Sequence, residues 1–492
     1  MRERRRNLIC WYPFRARTNK LEIFDEESCF LEDERVIRIK IYQLKEIDCK
    51  YDYIILNDVF RLAPELYFKN SHYTLLKKCQ KLLKKNGHIL LSIDNRFGLR
   101  FFSGEPDPFY QNCFFGMRKN EGLDHILFTR RELESLVYST GFKNIKFYYP
   151  YPNHLEPFEI FTDNSINQRS PLSAKDVLSV NATKVFEDAY VDAELREMNI
   201  AQYFADSFLV DISNEDVQFG IDYVKISTNR KEEFQSYTIL NYQTGEVYKK
   251  AITRSGEEHM REIEKNSMKT SLYPQLPYRW IDGKVMCDLL TSSSIKDLMV
   301  DDEKRKKILK RIKERSFSGE FRFYKENNGF IKVFGTERPS RKLHWQTDLN
   351  IDFIPENVYE NNNEWIMLDP EWFFSFPVPE EFVLWRFADM CNWCFPGEKD
   401  VIDFTETDEE TVAVFKKWND HFVYEFVGST PLNYKSAKYV DYAKMCKDYQ
   451  EVDYLRSYNY SLKADYERIT QSTIWKASKP LRTILDMFKR NK

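Results

Sequence analysis

The sequence predicts an α/β chain. A shortened, doubly wound parallel sheet comes first, a stretch of antiparallel strands and helices follows, and a helical, basic tail closes it. Three observations predict this. Short apolar strands and amphipathic helices alternate through the first third. The run SYTILNYQTGEVYKKAI sets two strand-like segments about a Gly-containing turn. From about residue 435 the strand pattern gives way to a Tyr- and Lys-rich segment with helical spacing.

Lys20–Phe24, KLEIF, is a short apolar strand, and residues 35–42, RVIRIKIY, alternate apolar and charged as a half-buried strand does. Residues 51–56, YDYIIL, form a buried strand. Leu75, Leu76, Cys79, Leu82 and Leu83 then mark the inner face of a helix that stops at Gly87. Residues 88–93, HILLSI, are another buried strand. Thr129 and Glu132 make a capping box that opens a helix closed by Gly141, and a strand follows over 143–149. Residues 1–160 therefore make one domain, and the polar segment 161–220 is expected to be a connector with some helix. Within a second domain, 221–430, strands are expected over 223–227, 234–242 and 247–252. Helices are expected over 257–268, 301–314 and 380–393. Residues 431–492 are an amphipathic tail, with Tyr439, Tyr442, Cys446 and Tyr449 on one helical face.

Bulk properties exclude several classes. A net charge of −3 excludes a chain built to coat nucleic acid. No run of apolar residues is long enough to span a bilayer, and the basic start MRERRRNLICWYPF lacks the apolar core of a secretory signal. Nine scattered cysteines, an odd number, fit a reducing cytoplasm rather than a disulfide scaffold. Cys391 and Cys394 form a lone CxxC, which points to burial on a helix rather than to zinc. None of the seven histidines has metal-ligand spacing.

The segment NIDFIPENVYENNNEWIMLDPEW carries the chemistry. Asp352, Asn357 and Asp369 stand in the spacing of a phosphotransferase catalytic loop. The first Asp of such a loop accepts the hydroxyl proton; the Asn and the last Asp hold the magnesium that bridges the phosphates. Oxygen ligands from both sides of a hairpin suit that metal. Ile351 stands where His or Gly is usual, and no Phe-Gly follows Asp369. The competing reading is a polar turn between two strands.

The phrases RRNLICWYPF, KLEIF, YDYIILNDVF, LLKKNGHILLSIDNRFGLRFFSG, FTRRELESLVYSTGF and FYYPYPNHLEP, in that order, resemble a class I S-adenosylmethionine-dependent methyltransferase domain of the kind found in bacterial surface-polysaccharide proteins. That resemblance makes S-adenosylmethionine a candidate cofactor. Two departures set this chain apart. No glycine precedes Gly87, so the turn after KLEIF lacks the residue that lets a backbone approach the cofactor. The stretch between KLEIF and YDYIIL is also too short for two further βα units of about 30 residues each. Asp25, Glu26 and Glu27 are the acids left to grip a ribose. The expectation is a degenerate domain kept as a structural or partner-binding module.

Residues 221–430 resemble the two-lobed kinase-like fold of choline kinases and aminoglycoside phosphotransferases. The order of parts carries the likeness: a hairpin ending in Lys249 and Lys250, a helix with Glu262 and Glu264, a connector over 279–288, then Asp352, Asn357 and Asp369. The resemblance implies ATP and Mg2+. A strand lysine would touch the phosphates, held by a helix glutamate. Alternation allows only one of the two lysines to do so, and Lys249 is favoured; Glu262 is its expected partner. Trp372, Phe373, Phe374 and Phe376 are expected to build core rather than a substrate cage.

STIWKASKPLR resembles a phrase near the ends of bacterial glycosyltransferases. Beyond Pro480, Leu481, Ile484, Leu485, Met487 and Phe488 form an apolar face beside Lys479, Arg482, Lys489 and Arg490. That pattern suits either an anionic membrane surface or a helix packed on protein. The whole order of parts resembles the bifunctional kinase–methyltransferases that modify bacterial O-antigen chains. It implies a cytoplasmic protein of surface-polysaccharide synthesis, peripheral at the inner membrane face. Its phosphoryl transfer would go to a hydroxyl of a lipid-linked glycan or a small alcohol. The alternatives are methyl transfer to a glycan, or a non-catalytic scaffold for glycosyltransferases.

Overall fold

The structure is a computed structural model. It describes residues 6–479 except 26–27, 29–34, 67–70, 108, 110–111, 119–125, 169–182, 187, 216–218, 362–363, 430–437 and 440–441. Its strands in chain order are β1 Lys20–Phe24, β2 Val36–Lys40, β3 Tyr51–Asn57, β4 Leu83–Asp94, β5 Asn144–Tyr151, β6 Glu159–Thr162, β7 Thr183–Lys184, β8 Ser207–Ser213, β9 Tyr223–Ser227, β10 Ser236–Asn241, β11 Glu246–Ala251, β12 Arg279–Ile281, β13 Lys284–Asp288, β14 Glu320–Arg322, β15 Leu343–Gln346, β16 Val358–Asn361, β17 Glu364–Met367, β18 Val378–Pro379 and β19 Lys438–Tyr439. The helices used below are α1 Ser71–Leu82, α2 Arg130–Ser139, α3 Glu257–Ser267, α4 Glu380–Met390 and α5 Tyr442–Gln471.

Twelve of these strands form one continuous sheet, in the order β12-β13-β11-β10-β9-β6-β5-β8-β4-β3-β1-β2. β1 pairs in parallel with β2 and β3, and β3 with β4. The chain leaves β1 for the outer edge at β2, then crosses back to β3 on the other side. That reversal is the topological switch of a doubly wound sheet. At the far end β9, β10, β11, β13 and β12 are antiparallel neighbours. The join is β6 with β9, where Glu159 faces Lys225, Ile160 faces Val224 and Phe161 faces Tyr223. Without it β9 would be a bare edge, exposing unpaired backbone groups.

Strand alternation assigns the core. On β3, Ile54 and Leu56 enter one cluster with Leu75, Leu76 and Cys79 of α1. Tyr53 and Ile55 point the other way, into a cluster with Trp11, Tyr12, Leu90 and Tyr148. That second cluster continues under Val224, Tyr237 and Ile239, so the N-terminal segment covers the sheet across the β6–β9 join. A buried ring such as Trp11 withdraws on the order of 150–250 Å2 from water, a large share of what holds the join. A separate helical half packs Phe330, Phe334, Trp345, Phe382, Phe415 and Trp418 together.

The Thr129–Glu132 capping box is present: the Glu132 amide donates to Thr129 Oγ1 at 3.4 Å and the Thr129 amide donates to Glu132 Oε2 at 2.9 Å. Gly141 ends that helix at φ +88°, a left-handed backbone that suits glycine. Three expectations are corrected. β4 begins at Leu83, directly after α1, rather than after Gly87. Residues 161–220, expected as a connector, supply β8, which is buried along its length and antiparallel to both β4 and β5. SFLVDIS is covered on both faces, so the strand has no solvent side. Tyr439 lies in β19, paired in parallel with β7, and the Tyr-rich helix starts at Tyr442. The side chains of Tyr442, Cys446 and Tyr449, and everything from Pro480 on, lie outside the described residues. No helix among the described residues is long and apolar enough to cross a membrane.

Candidate active site

β11 turns Lys249 inward and leaves Lys250 exposed. Lys249 is buried, and its Nζ donates to Asp369 Oδ1 and to Glu371 Oε2, each at 2.8 Å. Burial works against its charge, but the carboxylates of Asp369 and Glu371 outweigh that and hold its pKa above the usual lysine value. Glu371 is itself buried. It takes Lys249, the Arg230 guanidinium at 2.5 Å and His259 Nε2 at 2.9 Å. Against its burial, Arg230, Lys249 and His259 together keep the carboxyl far below the usual glutamate range.

Asp369 sits at φ +52°, in the left-handed region that a non-glycine residue adopts at a cost of roughly 1–3 kcal/mol. Its surroundings enforce that turn. The Leu368 amide donates to the Asn357 carbonyl at 2.7 Å, and the Glu371 amide donates to the Asp369 carbonyl at 2.8 Å. The turn swings the Asp369 carboxylate outward, where its side chain is 37% exposed.

On the other arm of this hairpin, Asn350 Oδ1 accepts the Asp352 amide at 3.0 Å, and Asn357 Nδ2 donates to the Asp352 carbonyl at 3.1 Å. Arg386, on α4, donates from Nε to the Ile351 carbonyl at 3.0 Å and from Nη2 to Asp352 Oδ1 at 2.8 Å. Burial raises the Asp352 pKa; Arg386 opposes this, and Asp369 and Glu371 add to it. A carboxylate with a raised pKa is a better proton acceptor, which suits a general base.

Asp352, Asn357, Asp369, Glu371, Lys225 and Arg230 line one cleft of about 410 Å3. Asn357 and Asp369 reach it from two arms of one hairpin. That donor set fits Mg2+, which takes one or two protein oxygens and keeps phosphate and water oxygens for the rest. Among the described residues no group of three or more His, Cys, Asp or Glu side chains forms a dedicated metal cage. Lys225, on β9, makes no ion pair among the described residues and stands open to the cleft.

Residues 228–235 join β9 to β10, and Asn229 and Arg230 of this loop line the cleft. The Lys231 amide donates to the Val427 carbonyl at 2.8 Å, and Asn7 Nδ2 donates to Thr228 Oγ1 at 2.8 Å and to the Pro157 carbonyl at 3.0 Å. Phe158, next to β6, also lines the cleft, so the first half supplies part of its wall. Trp372 is buried against Phe234, His259 and Phe422, and Phe376 is buried against Phe330. These rings build core, and Trp372 shows one side to the cleft.

The structure thus brings together Lys249, Asp352, Asn357 and Asp369. It does not bring Glu262 to them. Glu262 pairs with Lys265 on its own helix, and Glu264 accepts the Trp280 amide at 2.8 Å. The residue of α3 that reaches the lysine's network is His259, one turn earlier. A carboxylate within the hairpin, Glu371, takes the place expected of a helix glutamate. Sequence reasoning missed Glu371, His259, Arg230 and Arg386. Only Glu371 carried a signal: an acid at alternate spacing from Asp369 in an otherwise apolar run. Cys391 is buried, its Sγ 3.1 Å from the Phe387 carbonyl.

The carboxyl ends of the parallel strands hold a second charged cluster. Asp58, at φ +56°, pairs with Arg61 at 3.1 Å and with His154 Nε2 at 3.1 Å. Asp94 pairs with Arg100 at 2.6 Å and lies 3.4 Å from His154 Nδ1. The Arg61 guanidinium lies over the Phe109 ring at 3.7 Å. Burial works against a charged His154, but Asp94 and Asp58 outweigh it and raise its pKa. Glu22 of β1 is buried and accepts Asn57 Nδ2 at 3.1 Å. These groups pair by charge across the switch point, where a doubly wound sheet binds its ligand, but Arg61 Nη1, Asp94 Oδ1, Arg100 Nη2 and His154 Nδ1 are buried without a hydrogen-bond partner among the described residues. Of Asp25, Glu26 and Glu27, only Asp25 lies among the described residues.

Neither a protein-family profile nor a curated protein sequence matches this chain. Solved structures do. A SAM-dependent methyltransferase from Archaeoglobus fulgidus is 15% identical, over 40% of this chain and 86% of its own, with a TM-score of 0.23. A choline/ethanolamine kinase family protein from Mesorhizobium loti is 9% identical, over 49% of this chain and 86% of its own, with a TM-score of 0.24. An ethanolamine kinase from Plasmodium vivax is 9% identical, over 42% and 74%, with a TM-score of 0.23.

Proposed function

We propose that the cleft transfers the γ-phosphoryl group of ATP to a hydroxyl of a glycan or small alcohol. One observation carries this reading: Lys249 and the hairpin residues Asp352, Asn357 and Asp369, more than 100 positions further on, line or adjoin a single cleft, with Asp369 held in a left-handed turn. Asp352, oriented by Arg386, would accept the hydroxyl proton as the oxygen attacks phosphorus. The bond to the β–γ bridging oxygen breaks and ADP leaves. Lys249 would neutralise phosphate charge while Glu371 keeps it in place. Mg2+ held by Asn357 and Asp369 would supply further charge neutralisation at the phosphates.

The setting we assign is surface-polysaccharide synthesis in a bacterial cytoplasm, at the inner face of the membrane, with glycosyltransferases as neighbours. It rests on the phrases IDNRFGLRFFSG, FYYPYP and STIWKASKPLR. The first sheet would then serve as the wall and brace of the cleft rather than as a methyltransferase.

Turnover of ATP in the presence of lipid-linked glycan extracts tests the reading. Wild-type protein should consume ATP, and Asp369→Ala should reduce the rate by at least about 100-fold, the scale of losing one charge-stabilising group. Equal rates for the two proteins, or no nucleotide binding by wild type, would sink it.

A further inference from the structure

α5 runs for 30 residues, about 45 Å at 1.5 Å per residue. Every residue from Gln450 to Ile469 is exposed. Isolated helices draw little stability from propensity alone and depend on burying an apolar face. Here the uncovered side chains include Val452, Leu455, Leu462, Tyr466 and Ile469, at 45, 58, 47, 64 and 52% exposure. Their positions are regular. Residues 452, 455, 459, 462, 466 and 469 alternate steps of three and four, the a and d positions of a coiled-coil seam: Val, Leu, Asn, Leu, Tyr, Ile.

Three features choose the occupant. A β-branched Val452 at a with Leu455 at d favours two strands, and a lone Asn459 at an a position specifies register and strand number. The flanking charges select direction. In a parallel pair a g residue meets the e residue five positions later on its partner, which sets Glu451 against Arg456, opposite charges. An antiparallel overlap of the same seam sets e against e, Arg456 against Lys463, like charges. We infer that α5 pairs with the α5 of a second copy of this chain, as a parallel two-stranded coiled coil centred on Asn459. The pairing is independent of the cleft's chemistry.

Sedimentation equilibrium of the full chain tests it. The expected result is twice the mass of one chain at micromolar concentration. Leu455→Glu with Leu462→Glu should give one chain mass, while the thermal transition of the body stays in place, since neither side chain touches the body's core. Arg456→Glu should weaken the dimer several-fold by opposing Glu451, and adding Glu451→Arg should restore it. A monomeric wild type, a trimer, or a dimer that survives the double leucine change would overturn the proposal. A dimer tightened by Arg456→Glu would overturn the parallel direction, because that change relieves the antiparallel clash.

Discussion

Two ion networks stand at loop ends in this protein, and they differ in what they leave open. The network of Asp58, Arg61, Asp94, Arg100 and His154 balances its charges internally and stays buried: His154 lies between two carboxylates, and each carboxylate has an arginine. The network of Arg230, Lys249, His259, Asp369 and Glu371 is as tightly paired at Glu371 but ends in Asp369, whose carboxylate reaches the cleft. Buried ion pairs are weak evidence of function, because pairing itself can be the reason for burial. A pairing that leaves one acid open, on a strained backbone, and beside Lys225, which makes no ion pair among the described residues, is better suited to hold a charged ligand.

The largest effect should fall on the shared acid. Glu371→Ala strands Lys249, Arg230 and His259 without their common partner. It should cost roughly 3–5 kcal/mol of stability in denaturant melts, the scale of breaking a buried pair. If the cost is within error, Glu371 is not the anchor of the site. Lys225→Met comes next. It should weaken ATP binding about tenfold, near 1.4 kcal/mol, without changing the affinity for adenosine; equal loss for both ligands would place Lys225 outside the phosphate region.

The two networks should also respond to pH in opposite senses. The folded His154 pKa lies above its unfolded value of about 6.5, so its contribution is full below that value and is lost as pH rises through the folded pKa. The folded Glu371 pKa is depressed, so its contribution is present above the unfolded value of about 4.3 and is lost as pH falls through the folded one. Urea midpoints measured across pH should show His154→Asn flattening the alkaline decline and sparing the acid limb. A change confined to the acid limb would reverse the assignment. The smallest effect belongs to Glu262→Ala, which should stay within about 0.5 kcal/mol and leave ATP turnover unchanged. A drop in turnover would tie Glu262 to Lys249 after all.

Much of this arrangement was legible in local pattern. Period-two alternation shows that only one of Lys249 and Lys250 can face the core, and the structure decides that it is Lys249. The loop spacing places Asp352, Asn357 and Asp369 on one hairpin. The capping box marks the start of α2. What was not legible depends on neighbours far along the chain. Glu262 and His259 lie three residues apart on α3, close enough in angle that only the docking of the helix against β11 and β13 decides which one reaches Glu371. Arg230 reaches Glu371 from a loop and Arg386 reaches Asp352 from a helix more than 150 positions further along the sequence, and no local period encodes that.

By itself the sequence determined many of the elements and their local chemistry: apolar alternation makes the strands, an acid–amide–acid spacing makes the hairpin, and the capping box starts α2. Each follows from contacts between residues a few positions apart. Only the tertiary structure decided that β8 threads the middle of the sheet, that β6 covers the edge of β9, and that a buried glutamate rather than a helix glutamate holds Lys249. Those outcomes follow from pairing backbone groups and burying charges across long loops. They depend on which partners meet in space, so no single segment's pattern contains them.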